Sequence, residues 1–288
     1  MGDVLGLLAE PLRFEFMQRA LLATTIVGVL CAVLGAFVVW KGLAFVGDAV
    51  AHASFAGVAG AYVFGQSIYL GAAVAAVVTA LSIAFVSRRS RLGPDTAIGV
   101  LFAFMFSLGI VVISRVRNYT VDLFGFVFGN VLGVGMDDLA VIGIAGLIIV
   151  GLIAALYKEL FFVAFDATMA EAVGLPVTAL QYLLLVMLGI TVVVSMRAIG
   201  IVLVVAMLVT PAATASMLTR RFHRIMFLGS LLSCVASVLG LYLSYFANVA
   251  SGGAIVLVAT SMFFVVLLWR QIADARLGRQ GSGGEIGY

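Results

Sequence analysis

Apolar residues in this chain gather into long runs separated by short polar or basic interruptions, and the runs are long enough to decide the class of fold. Nine of them lie at about residues 20–39, 44–65, 68–86, 94–114, 139–157, 179–196, 201–218, 225–246 and 254–269. A helix needs about 20 mostly apolar residues to cross a bilayer, and the chain offers no alternating strand pattern in their place. The pattern predicts an all-α polytopic membrane protein with about nine transmembrane helices, or eight if one run does not cross.

The interruptions carry the finer predictions. Residues 1–19 mix Leu and Phe with Glu10, Arg13, Glu15 and Arg19, which suits an interfacial segment ahead of a membrane domain over 20–270. Gly93-Pro94-Asp95 opens the fourth run, with Asp95 as the expected N-cap. The stretch from Arg115 to Asp138 is too polar and Gly-rich for another crossing, and Phe124 to Asn130 within it reads as a short re-entrant or interfacial helix. Residues 158–177 form the longest interruption. There Asp166 can cap a short helix that Gly174 and Pro176 end, and such a helix lying along the membrane suits docking of a cytosolic partner. Thr210-Pro211 falls inside the seventh run and predicts a kink or a break, a candidate gate. Residues 271–288 read as a flexible tail.

Basic residues set the orientation. Arg88-Arg89-Ser90-Arg91 and Arg220-Arg221 with Arg224 closely follow run ends, and the positive-inside rule makes both loops cytoplasmic. Nine crossings then place the N-terminus outside and the C-terminus in the cytoplasm, with Arg115, Arg117 and Arg197 on the outer side against the trend.

Composition narrows the chemistry. The chain is 64% hydrophobic and 10% charged, with a formal charge of +3, so its basic clusters serve topology better than nucleic-acid binding. No Gly-rich phosphate loop ending in Gly-Lys-Ser/Thr occurs, so any ATP-driven work must come from another polypeptide. Cys31 and Cys234 are isolated in apolar runs and read as buried thiols. Away from the ends of the runs, Asp48 and His52 are the only acid and the only imidazole; Asp95 opens the fourth run and His223 sits at a boundary among arginines. Four residues turn a helix through about 400°, so the two side chains share a face about 40° and about 6 Å apart. Ionisable groups at membrane depth usually face a bundle interior or a water-filled path. A carboxylate with an imidazole suits Mn²⁺, Zn²⁺ or Fe²⁺, and a second copy of the chain could raise two ligands to four. The alternative is a helix-capping Asp beside a hydrogen-bonded core histidine. Small residues from Gly47 to Ala61 leave the helix almost bare, which permits close packing or lines a narrow passage.

Four motifs in order resemble a known family. Gly47-Asp48-Ala49-Val50-Ala51-His52-Ala53 with Gly57, Asp95-Thr96-Ala97-Ile98-Gly99, Asp122-Leu123-Phe124 with Phe128-Gly129-Asn130, and Gly200 through Thr210-Pro211 to Ala215 are similar to the integral membrane permeases of ABC importers for manganese, zinc and iron. The resemblance spans about residues 14–269, and Lys158-Glu159-Leu160, Phe165-Asp166 and the Ala-Met-Leu-Val-Thr-Pro wording resemble the manganese members most. It implies a type II ABC importer-like fold, a homo- or heterodimer of permeases, two cytosolic ATP-binding subunits and an extracytoplasmic metal-binding protein, in a prokaryotic cytoplasmic membrane. It further implies that Asp48 and His52 ligate the passing metal. The coupling helix, with Asp166, Ala170, Glu171, Gly174 and Pro176, would seat on the ATPase. No cofactor is implied beyond the transported ion, Mn²⁺ first and Zn²⁺ or Fe²⁺ as alternatives. Ala51 stands where many relatives carry Ser, so no ligand role is assigned there. Two readings of other classes remain: a proton-coupled secondary transporter using the pair as a relay, and a membrane enzyme using it as an acid–base dyad.

Overall fold

The structure is a computed structural model that describes residues 10–89, 93–115 and 129–281. Among these residues every regular element is helical. A 3₁₀ turn at Pro11–Arg13 leads into α1 (Glu15–Trp40), followed by α2 (Val46–Val63), α3 (Ile68–Arg89) and α4 (Pro94–Ile113). A second 3₁₀ turn at Val131–Gly133 precedes α5 (Met136–Ala155), α6 (Tyr157–Phe165), α7 (Ala167–Ala172), α8 (Val177–Ile199), α9 (Ile201–Leu218), α10 (Phe222–Ala247) and α11 (Ser251–Gly281). Eight of these helices are long and apolar enough to cross a membrane; α2 is 18 residues long but is not among them, because Asp48, His52 and its many small residues dilute its apolarity. The chain is a multi-pass membrane protein.

Packing divides the bundle into two groups. One holds α2 against α3 and α4; the other holds α1 against α9 and α10, with α11 closing on α9 and α10. The long helix α8 bridges them by touching α3 on one side and α5 and α9 on the other. Small residues make these approaches close. A Cβ on Gly57 would collide with the backbone of Gly71, and one on Gly71 with that of Gly57, so α2 and α3 meet backbone to backbone. Such contacts are how membrane helices associate when lipid and side chains are equally apolar.

Several boundaries differ from the expectation. Helix α1 begins at Glu15, four residues before the end of the expected N-terminal segment at residue 19; Met17 is buried and Arg19 pairs with Glu15 at 2.7 Å one turn back. At the other end α11 runs to Gly281, through part of the expected tail, because Gln271 to Leu277 contains no helix breaker. The N-cap of α4 is Gly93 rather than Asp95, which lies exposed in the first turn with Pro94 at the preceding position. There its charge still complements the positive end of the helix. Helix α9 continues through Thr210 and Pro211 without a break. Pro211 cannot donate to the carbonyl four residues back. The carbonyl that loses this donor is that of Met207; the next one, on Leu208, lies hard against Gly35 of α1, and α1, α10 and α11 pack around the helix. The expected re-entrant helix at 124–130 and the Asp122-Leu123-Phe124 motif fall outside the described residues, apart from Gly129 and Asn130. Gly129, at φ +70°, presses on the Ile199–Gly200 backbone, where Gly200 at φ +83° alone joins α8 to α9. Both positions demand a residue at ease with positive φ.

Candidate metal-ligand pair and docking face

Helix α2 starts inside the bundle rather than at its rim. Gly47 packs on the Leu208 side chain, and Leu208 is the eighth residue of the 18 in α9, counted from Ile201. Higher on α2, His52 lies edge-on against Phe102 and Phe106, with ring centroids 5.5 and 5.9 Å away, in the middle of α4. Both contacts put Asp48 and His52 near the mid-depth of the neighbouring helices. The capping alternative for Asp48 does not hold: Phe45 is the N-cap of α2 and no side chain caps it, while Asp48 sits third in the helix.

The pair is joined as its spacing requires. His52 Nδ1 lies 3.0 Å from the Asp48 carbonyl oxygen and 3.2 Å from Asp48 Oδ1. A carbonyl can only accept, so in the neutral ring the proton belongs on Nδ1 and the Nε2 lone pair is left free. That leaves Nε2 and the second carboxylate oxygen for a ligand. Phe102 and Phe106 stack on each other at 5.9 Å and fix the plane of the imidazole from one side. The pair is not enclosed: the His52 side chain is 31% exposed and that of Asp48 41%, on the one stripe of α2 that its own chain leaves uncovered. No group of three or more His, Cys, Asp or Glu that could hold a metal exists among the described residues, so one chain offers two ligands there.

At one end of the bundle, α6 and α7 form the segment expected to dock a partner. Asp166 ends α6 and caps α7, its Oδ1 accepting from Met169 N at 2.9 Å, and Gly174 at φ +89° then turns the chain out of α7 before Pro176. Asp166, Glu171, Gly174 and Pro176 are exposed, but Ala170 is fully buried and anchors α7 from beneath. It is an inward contact and not a docking residue. The exposed apolar residues Phe165, Met169 and Val173 share this face instead; sequence reasoning passed over them because nothing in an apolar residue marks its direction. Phe222, at the start of α10, packs edge-on against Phe37 and Trp40, with centroids 4.8 and 5.7 Å away, and against Phe161 at 5.2 Å. This cluster ties α6 to α1 and α10. His223 is exposed beside it, as its arginine neighbours suggested.

At the other end, Arg197 Nε lies 2.6 Å from Asp138 Oδ1, and the guanidinium sits 4.2 Å from the Tyr69 ring centroid. Arg197 is therefore consumed by an ion pair and a cation–π contact that join α8 to α5 and α3. Cys31 and Cys234 are both free thiols, far apart in sequence and unpaired.

Comparison with known proteins adds an independent line. The model of the ABC 3 transport family matches residues 13–270. The manganese transport system membrane protein MntC of Listeria monocytogenes is 43% identical over 258 residues, covering 90% of this chain and 92% of that protein. The chelated iron transport system membrane protein YfeD of Yersinia pestis is 35% identical over 273 residues, covering 94% and 91%. Among solved structures, PsaBC from Streptococcus pneumoniae in complex with Fab superposes with a TM-score of 0.79 at 36% identity, covering 91% of this chain and 95% of that one.

Proposed function

The chain belongs to the ABC 3 transport family, and from that premise we propose that it is the membrane-spanning subunit of an ATP-driven importer that carries a divalent transition metal, Mn²⁺ foremost, into the cytoplasm. The observation that carries this reading is the placement of Asp48 and His52: an acid and an imidazole at the mid-depth of neighbouring helices, on the uncovered stripe of α2. Ionisable groups at such depth are too costly to leave against lipid. That stripe therefore meets a water-filled path, and a second permease chain across a two-fold axis supplies the matching wall. Two copies bring two carboxylates and two imidazoles to the path. Mixed oxygen and nitrogen ligands suit Mn²⁺, and the manganese and iron names of the relatives favour the same group of ions. An open site of this kind holds its ion weakly enough to release it.

The other parts follow from this arrangement. ATP hydrolysis resides on two cytosolic subunits that seat on the exposed face of α7, through Asp166, Glu171, Gly174 and Pro176 together with Met169 and Val173. An extracytoplasmic binding protein delivers the ion at the end that carries Arg197. The C-terminus lies in the cytoplasm of a prokaryotic cell, the N-terminus outside, and the permease body extends from α1 through α11. Thr210 and Pro211 mark the point of α9 best suited to bend in a gate, since a backbone hydrogen bond is already missing there.

The test uses the assembled transporter in vesicles. Asp48→Ala and His52→Ala should each lower manganese uptake at least about a hundredfold, the loss expected of a ligand or its orienting partner, while dimer assembly and ATPase co-purification persist. Undiminished uptake by both variants would overturn the ligand assignment. Competition by zinc and iron in the same vesicles ranks the ions, and preference for iron over manganese would overturn the manganese reading alone.

A further inference from the structure

A second polar site lies at the end of the bundle that carries the arginine clusters, and the metal path does not use it. A cavity of about 520 Å³ opens there between the end of α1, the last turns of α3, the start of α4, and α6 to α8. The volume is in the range of small-molecule sites and too large for a packing defect. One part of its wall is basic and polar: Lys41, Ser87, Arg88 and Gln181. The rest is apolar, and Ile83, Leu184, Leu185 and Val163 within it are deeply buried. Trp40 closes the rim, 37% exposed, as an aromatic residue at a membrane interface does.

The cations in this cavity lack an acidic partner among the described residues. No carboxylate lines it, and none lies within ion-pair distance of Lys41 or Arg88 among the described residues. Burial lowers the pKa of Lys41 below the ordinary lysine value, since nothing offsets the desolvation of its ammonium group. Arg88 donates to the Thr178 hydroxyl through one guanidinium nitrogen and keeps its other donors free. The Ser87 hydroxyl is buried without a hydrogen-bond partner, although a helical serine can ordinarily reach a carbonyl one turn back. The nearest acidic residues along the chain are Asp95 and Asp166; both are exposed, and Asp166 is occupied in capping α7.

We propose that this cavity binds an anionic phospholipid from the adjoining leaflet, with Lys41 and Arg88 on the phosphate, Ser87 donating to a phosphoryl oxygen, and the apolar wall receiving the upper acyl chains. Two unneutralised cations call for an anion, and the apolar remainder distinguishes an amphiphile from a free ion. The lipid would clamp α6 and α7, through Val163 and Ala167, to the ends of α1 and α3. The site is independent of Asp48 and His52, so its test succeeds or fails separately from the metal reading.

The experiment uses the full chain purified in a neutral detergent. Native mass spectrometry and melting curves are recorded with mixed micelles of phosphatidylglycerol, with phosphatidylcholine, and with inorganic phosphate alone. Wild type should retain one phosphatidylglycerol and melt several degrees higher with it, with little response to phosphatidylcholine or phosphate. Lys41→Gln combined with Arg88→Gln should weaken retention roughly thirtyfold, the loss expected for two basic groups at a membrane surface. Arg224→Gln, at the same end but outside the cavity, should retain the lipid as wild type does. If the double variant fails to fold, Ser87→Ala serves in its place, with retention expected to fall severalfold. Equal retention by the variants, equal binding of phosphatidylcholine, or a full melting shift with phosphate alone would each overturn the proposal.

Discussion

At Asp48 and His52 a single helical turn settles which atoms face a ligand. Both the carbonyl and a carboxylate oxygen of Asp48 accept from His52 Nδ1, so Asp48 is at once an orienting partner and a potential ligand through its other oxygen. In metal sites a carboxylate behind an imidazole fixes the tautomer and raises ligand basicity. The spacing was legible in the sequence. The edges of Phe102 and Phe106, which fix the ring plane, were not, because aromatic residues in a lipid-facing helix look the same in one dimension. Arg197 teaches the converse. In the sequence it is an outer arginine that weakens a topology argument, and in the fold it is held by Asp138 and Tyr69. Replacing Arg197 with Leu should cost about 1–2 kcal/mol, from a partly exposed ion pair and one cation–π contact. A melting curve in detergent checks this, with Arg197→Lys recovering part of the loss.

Among the elements, α2 is the one whose character the fold explains best. It alone among the helices of 18 or more residues falls short of the apolarity of a membrane span, yet its packings against α3 and α4 are the most extensive between any two helices of the described residues. The run of small residues permitted either close packing or a passage, and close packing is what one face of α2 shows. Gly57 meets Gly71 of α3 backbone to backbone, whereas Gly60 faces open space. Gly57→Ala should therefore force α2 and α3 apart and cost about 1–3 kcal/mol, the usual penalty of overpacking. Gly60→Ala, four-fifths of a turn away on the same helix, should melt like wild type. Equal melting of the two variants would contradict the backbone contact. Helix α9 shows a different lesson: of the kink or break that Pro211 allows, the break does not occur, and the helix runs on through Pro211 packed among three others.

For the whole molecule, the α6–α7 appendage is fastened to α1 and α10 by the aromatic cluster around Phe222, and α7 is anchored by buried Ala170. Met169→Asp and Glu171→Arg should each reduce co-purification with the ATP-binding subunit about tenfold or more, as charged intrusions at the core of an interface do. Ala170→Leu should act differently, lowering the stability of the permease itself because the added volume has nowhere to go. A pull-down alongside a melting curve separates the two effects: the first pair changes only the pull-down, the last changes the melting.

What the sequence determined by itself was the class of molecule and the common face of Asp48 and His52. Runs long enough to cross hydrocarbon leave helices as the only way to satisfy the backbone, and the spacing of Asp48 and His52 on a 3.6-residue period leaves them on one face. The cap at Asp166 and the stops at Gly174 and Pro176 were equally local, and for that reason equally legible. The tertiary structure decided everything that depends on direction and depth. It set α2 to begin beside Leu208 inside the bundle, turned Ala170 inward and Met169 outward, continued α9 through Pro211, and gathered Lys41, Ser87 and Arg88 from two helix ends around one cavity. In a chain this apolar every face of a helix is hydrophobic, so periodicity does not distinguish the side facing protein from the side facing lipid; only packing does.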